Sequence, residues 1–153
     1  MSEITVKTFI DSNVWLYRLL IDPTMNLEEG QSKRKIAIGL TQASDRSIVI
    51  STQIITETCA VLKRKTQISD NDLLELITEF EEQCEVMSLV ISHIKHACRL
   101  RVSYRFSYWD SLIIAAALDS NAKILYSEDM QHNLLVENQL QIINPFVELG
   151  SGK

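Results

Sequence analysis

Thr8-Phe-Ile-Asp-Ser-Asn-Val-Trp-Leu-Tyr17 is the stretch that decides the fold. Apolar residues run up to Asp11 and helix-compatible residues run on from Asn13, so a strand ends where a helix begins, with an acid at the joint. In open α/β sheets ligands bind outside the carboxyl ends of the strands, which is where such a joint lies. The same alternation recurs outward from this point. Thr5 to Ile10 reads as a first strand and Val14 to Leu20 as a helix stopping before Asp22-Pro23. Thr24 to Gln31, with Gly30 and two acids, reads as a loop, and a basic-headed helix follows from Ser32. Ser47 to Ser51 is a β-branched run suited to a buried strand.

Beyond it, Gln53 to Lys65 carries Ile54, Ile55, Thr58, Val61 and Leu62 on one helical face. Ser69 to Asp72 reads as a cap for the next helix, and Glu85 to Leu89 as a third strand. Ile94, Ala97, Cys98 and Val102 mark the apolar face of a further helix, leaving His93 and His96 on its wet side. Leu112 to Leu118 is apolar nearly all round and predicts the most buried helix. Lys123 to Tyr126 is a fourth strand, Met130 to Val136 a short helix, and Gln141 to Ile143 a fifth strand. Strands alternating with helices imply right-handed crossovers and a mostly parallel sheet of about five strands, covered on both faces.

Length and composition narrow the class. A chain of 153 residues, 46% hydrophobic and 23% charged, is most simply one domain, here residues 1–149 with a disordered tail from Gly150 to Lys153. The net charge of −5 argues against tight non-specific binding to phosphates. It leaves room for local basic surfaces such as Lys33-Arg34-Lys35, Lys63-Arg64-Lys65, and Arg99 with Arg101 and Arg105, each of which also reads as a solvated helix face. Cys59, Cys84 and Cys98 sit in apolar contexts without C-x-x-C spacing and read as reduced core thiols. Glu3 precedes any apolar run, so no signal peptide is expected, and no run approaches the ~18 apolar residues of a membrane span. The expectation is a cytoplasmic protein.

Four acids fall where strand gives way to helix or near a helix start: Asp11, Glu57, Asp110 and Asp129. Each has an ordinary alternative. Asp11 could cap the first helix, Asp110 completes a Ser-x-x-Asp box with Ser107, and Asp129 could cap Met130 to Val136. Glu57 is harder to assign to structure, since Gln53, Ile54, Ala60 and Val61 around it include no cation. In a parallel sheet all strand C-termini point one way, so the four can converge. Two carboxylates about 4 Å apart repel by about 4 kcal/mol at an effective dielectric of about 20, so a cluster must be protonated, spread apart or hold a cation. An all-oxygen donor set suits Mg²⁺ or Mn²⁺, and such an ion supports phosphodiester hydrolysis. Asn13 and Ser127 are polar neighbours placed to support the acids. His132 has no evident role.

These motifs together resemble a known family. Phe9-Ile-Asp11-Ser-Asn13-Val and Thr56-Glu57 resemble the opening half of a PIN domain. Tyr108-Trp-Asp110-Ser-Leu-Ile-Ile-Ala-Ala-Ala117 and Ile124-Leu-Tyr-Ser127-Glu-Asp129-Met-Gln-His132 resemble its second half, and Leu140-Gln-Ile-Ile-Asn-Pro-Phe146 the ending of bacterial members. The resemblance implies a PIN-like three-layer α/β/α sandwich. It also implies an Mg²⁺- or Mn²⁺-dependent endoribonuclease with Asp11, Glu57, Asp110 and Asp129 as catalytic and metal-holding acids and Asn13 and Ser127 in support. Members of this size are commonly VapC-like toxins of toxin–antitoxin pairs, which implies an RNA substrate, a cognate antitoxin and a homodimer. Asn133 departs from the family, where Gly often follows Met-Gln-His. The alternative is a catalytically idle PIN-like module that binds RNA or a protein. A haloacid-dehalogenase-type phosphatase would need a second Asp two residues after Asp11, where Asn13 stands.

Overall fold

The computed structural model describes residues 5–43 and 45–150. Strand β1 (Val6–Ile10) leads into α1 (Ser12–Leu19) and α2 (Leu27–Thr41), and β2 (Arg46–Ser51) into α3 (Thr52–Lys65) and α4 (Asp70–Gln83). Strand β3 (Glu85–Met87) precedes α5 (Ile91–Ser103) and α6 (Tyr108–Asp119), after which come β4 (Ile124–Tyr126), β5 (Leu135–Val136), β6 (Leu140–Ile143) and α7 (Val147–Gly150). The sheet order is β3-β2-β1-β4-β6-β5, parallel throughout except that β5 runs antiparallel to β6. From β1 the chain winds outward through β2 to β3, then returns to the other side of β1 to lay down β4. The winding direction therefore reverses between β1 and β4, and in open α/β sheets such a switch point is where the ligand crevice lies, outside the carboxyl ends of the strands.

Neighbouring strand residues point to opposite faces, and both Phe9 and Ile10, like Val49 and Ile50, are fully buried, so helices cover the sheet on both sides. Helix α6 is the most enclosed element: every residue from Ser111 to Leu118 is buried. Its small residues Ala115, Ala116 and Ala117 let neighbouring elements approach closely, and α5 is packed along it.

Several elements differ from expectation. Thr24 to Gln31 is not all loop: α2 begins at Leu27 because the Asn26 side chain accepts the Glu29 N–H at 3.1 Å and Glu28 and Glu29 favour the positive end of the helix. Leu27 is exposed there, so no apolar period announced that turn. Met130 to Val136 is not a helix. Asn133 has φ 68°, and Glu137 and Asn138 have φ 51° and 55°. The last two are the central residues of a tight turn closed by Gln139 N–H to Val136 O at 3.0 Å, which folds Leu135–Val136 back on β6 and adds a sixth strand. Asn133 occupies the left-handed region that favours glycine, the residue the resemblance implied there, and Asn is among the next most tolerant of it.

The buried stripe of α5 is His93, Ala97 and Leu100, whereas Val102 is 89% exposed and Cys98 also faces solvent. His93 takes a core position because its Nδ1 accepts the Val90 N–H at 3.1 Å and so satisfies the start of the helix. His96 is not solvated either, with Nδ1 2.9 Å from Asp119 Oδ1 and Nε2 3.1 Å from Glu137 Oε1. Cys59 and Cys84 are half-buried, and burial pushes the Cys84 thiol up to about 11. Gly150 closes α7; Glu3 and residues 151–153 lie outside the described residues. No helix among the described residues is long and apolar enough to cross a membrane.

Candidate active site at the β1/β4 switch point

Asp11 follows the last residue of β1, and its N–H continues the ladder to Tyr126 O of β4 at 3.0 Å. Its carboxylate is divided between two donors. Oδ1 accepts the Ser12 N–H at 2.8 Å, which is the helix-cap role, and Oδ2 accepts the Ser127 hydroxyl at 2.7 Å from just beyond β4. Burial pushes its pKa up to about 6; the Ser127 and Ser12 hydrogen bonds oppose that rise, and the nearby charges of Glu57 and Asp110 add to it.

The other three acids arrive from three further segments. Glu57, on the second turn of α3, accepts the Ser12 hydroxyl on Oε2 at 3.2 Å and the Gln53 amide on Oε1 at 2.9 Å. Asp110 lies in the first turn of α6, where Ser107 Oγ accepts its N–H at 3.1 Å. The Asp110 carboxyl is raised, first by burial and then by Asp129 and Glu57, against the Ser107 hydrogen bond. Asp129 has no helix to cap, and its Oδ2 accepts the Asn13 amide at 3.1 Å.

The four acids are thus grouped at one edge of the sheet: Asp11 feels the charges of Glu57 and Asp110, and Asp110 those of Asp129 and Glu57. Their hydrogen-bond partners are neutral, and none of the four is in a salt bridge among the described residues. They are not gathered onto a single point: among the described residues no three His, Cys, Asp or Glu side chains are placed to hold one metal ion together. Spreading the carboxylates and tethering each to a neutral donor relieves their repulsion. The donor chemistry is hard oxygen throughout and suits Mg²⁺ or Mn²⁺.

Two supports were not evident in the sequence. Gln53 is buried, and its amide Nε2 donates both to Glu57 and to the carbonyl of Trp109 at 3.2 Å, tying α3 to the start of α6. Its position four residues before Glu57 was the available signal, since such pairs share a helix face. Glu128 accepts Tyr17 OH at 2.6 Å and pairs with Lys33 Nζ at 2.7 Å, while its N–H reaches Asn13 Oδ1 at 3.4 Å. That network locks the Ser127–Asp129 turn to α1 and α2, and it takes Lys33 out of the solvated basic face. His132 is structural, its Nδ1 accepting the Asn144 N–H at 2.9 Å.

An α/β chain whose sheet reverses direction at an acid-lined crevice defines a class of folds, and comparison with known proteins narrows it. The PIN domain family model matches residues 8–135, and the chain belongs to that family. Among solved structures, the Mycobacterium tuberculosis toxin VapC20, described as cleaving the sarcin–ricin loop, superposes with a TM-score of 0.59 at 14% identity, over 80% of this chain and 89% of its own. A toxin–antitoxin complex from Klebsiella pneumoniae gives 0.62 at 14% identity, over 90% of this chain and 97% of that one. VapBC2 of Rickettsia felis, bound to a DNA fragment of its promoter, gives 0.60 at 14% identity, over 91% and 100%. At that identity the likeness is one of fold. Among curated proteins none matches significantly.

Proposed function

We propose that this chain is a Mg²⁺- or Mn²⁺-dependent endoribonuclease and the toxin of a toxin–antitoxin pair. The observation that carries the reading is the meeting of Asp11, Glu57, Asp110 and Asp129 at the β1/β4 crevice, with Asp11 buried and raised to about 6. A site with several uncompensated carboxylates and only neutral partners is poised for a hard divalent cation. Asp11, Glu57, Asp110 and Asp129 would hold the ion, which would supply Lewis-acid activation of a water and charge stabilisation at the leaving oxygen.

The chain's own residues do the positioning. Ser127 and the Ser12 N–H each engage one oxygen of Asp11, which fixes the plane of that carboxylate and leaves lone pairs free on both. Ser12 and Gln53 orient Glu57, and Asn13 orients Asp129 while tying its turn to α1. Because the supports come from the start of α1, from α3 and from the turn after β4, the acids move together only if the sheet and helices move. That is the rigidity a reacting phosphodiester needs.

Purified protein incubated with RNA and Mn²⁺ tests the proposal: wild type cleaves and Asp11→Asn loses at least about 100-fold of the rate. Equal cleavage by the two overturns it. An RNA substrate, an antitoxin and a homodimer belong to the same proposal; the antitoxin is supported by the fold shared with the Klebsiella and Rickettsia toxin–antitoxin assemblies, and the RNA substrate by the fold shared with VapC20. A second reading, an idle module that binds RNA or protein, is favoured by the spread of the acids. It predicts partner binding without cleavage, and a metal-dependent nuclease activity lost in Glu57→Gln rules it out.

A further inference from the structure

The start of α6, with the connection that leads into it from α5, carries a surface that the acids alone do not explain. Trp109 is 64% exposed and Tyr108 38% exposed, their rings 5.4 Å apart and edge-on at 80°. An indole that far out of the core forgoes most of the burial that normally recruits Trp, and it stands one residue before Asp110. Its position relative to the crevice is fixed from beneath. Gln53 Nε2 holds the Trp109 carbonyl at 3.2 Å and Glu57 Oε1 at 2.9 Å, so the backbone under the indole is coupled to one of the four acids through a single buried amide.

Arg101, in the last turn of α5, and Arg105, in the connection to α6, are also exposed, and Arg101 Nε donates to the Phe106 carbonyl at 3.3 Å. A chain of net charge −5 needs local cations wherever a polyanion is to approach its acids, and Arg105 stands three residues before Tyr108 while Arg101 is hydrogen-bonded to the Phe106 carbonyl two residues before it.

We infer that Trp109 is a stacking platform for an unpaired base of the RNA next to the bond that is cut, with Arg101 and Arg105 receiving the adjoining backbone. The inference rests on the ribonuclease reading and adds to it a positioning residue, the exposed indole one place before Asp110. Stacking on an indole face is available to any base, so the platform contributes affinity and registers the strand against Asp110 without reading sequence.

Trp15 is buried, with its Nε1–H held by Ile10 O, so a fluorescence change on binding reports Trp109. Asp11→Asn protein in Mn²⁺ is titrated with a single-stranded oligoribonucleotide and with the same strand carrying abasic positions. Saturable quenching that disappears on the abasic strand is the expected result. In the active protein, Trp109→Ala raises KM for single-stranded RNA by about 5- to 100-fold with kcat little changed, and Trp109→Tyr restores most of it. An unchanged KM in Trp109→Ala, or quenching indifferent to the missing base, overturns the inference. So does a change in oligomeric state on Trp109→Ala with RNA binding intact, which assigns the indole to contact between copies. Base-dependent quenching in a protein that cleaves no RNA leaves the platform standing and removes the ribonuclease reading instead.

Discussion

Asp11 shows how one carboxylate serves as cap and site acid together. Its cap bond to Ser12 N–H would suit an exposed helix start, yet the side chain is buried, faces Glu57 and Asp110, and reaches Ser127 across the strand gap. Burial leads the rise of its pKa from 3.8 to about 6, so the native protein holds that proton more tightly than the unfolded chain. The stabilisation is therefore fully present below about pH 4 and is lost as pH rises through about 6. Two units correspond to about 3 kcal/mol as an upper figure. Denaturant unfolding in EDTA should show the stability difference between wild type and Asp11→Asn growing in favour of the mutant from pH 4 to pH 7. A pH-independent difference would contradict the burial argument.

At the scale of the element, the β5–β6 hairpin is the part that local pattern misread. Met130 to Val136 contains enough apolar residues for a helix turn, but left-handed Asn133 breaks any helix inside it, and left-handed Glu137 and Asn138 turn the chain just after it. Their conformations are held by pairing with β6, a contact outside any local window. Asn133→Gly should leave thermal stability within a few tenths of a kcal/mol, whereas Asn133→Val should cost about 1–2 kcal/mol, both measurable as shifts in denaturant midpoint. A neutral Asn133→Val would mean that the turn relaxes to another conformation. Helix α5 makes the complementary point. Its length was legible from periodicity, but its buried face was not, because His93 satisfies Val90 N–H and sits inward while apolar Val102 sits outward.

Across the whole molecule, the acids are brought to one crevice by the reversal of strand order between β1 and β4. Separations of over a hundred residues, as between Asn13 and Asp129, collapse to a 3.1 Å hydrogen bond. If the crevice takes a divalent cation, binding to the native state alone stabilises it by mass action, about 2.7 kcal/mol at one hundred times the dissociation constant. Thermal unfolding with and without Mn²⁺ should show wild type gaining several degrees and Asp110→Asn gaining less. No shift in either would leave the four acids as caps and spectators and remove the metal from the proposal.

The sequence by itself determined the alternation of strands and helices, the enclosure of α6, and the placement of an acid after β1, in α3, at the start of α6 and after β4. Those are properties of short windows: hydrophobic period, capping residues and the ends of apolar runs. Only the tertiary structure decided which face of α5 is buried, that Leu135 and Val136 pair as a strand, that Gln53 joins Glu57 to Trp109, and that Lys33 and Tyr17 hold Glu128 beside Asp129. Each depends on a partner surface far away in the chain, and a residue's own neighbours carry no record of what will be packed against it. The grouping of the four carboxylates is of the same kind, set by how β1, β4, α3 and α6 pack together.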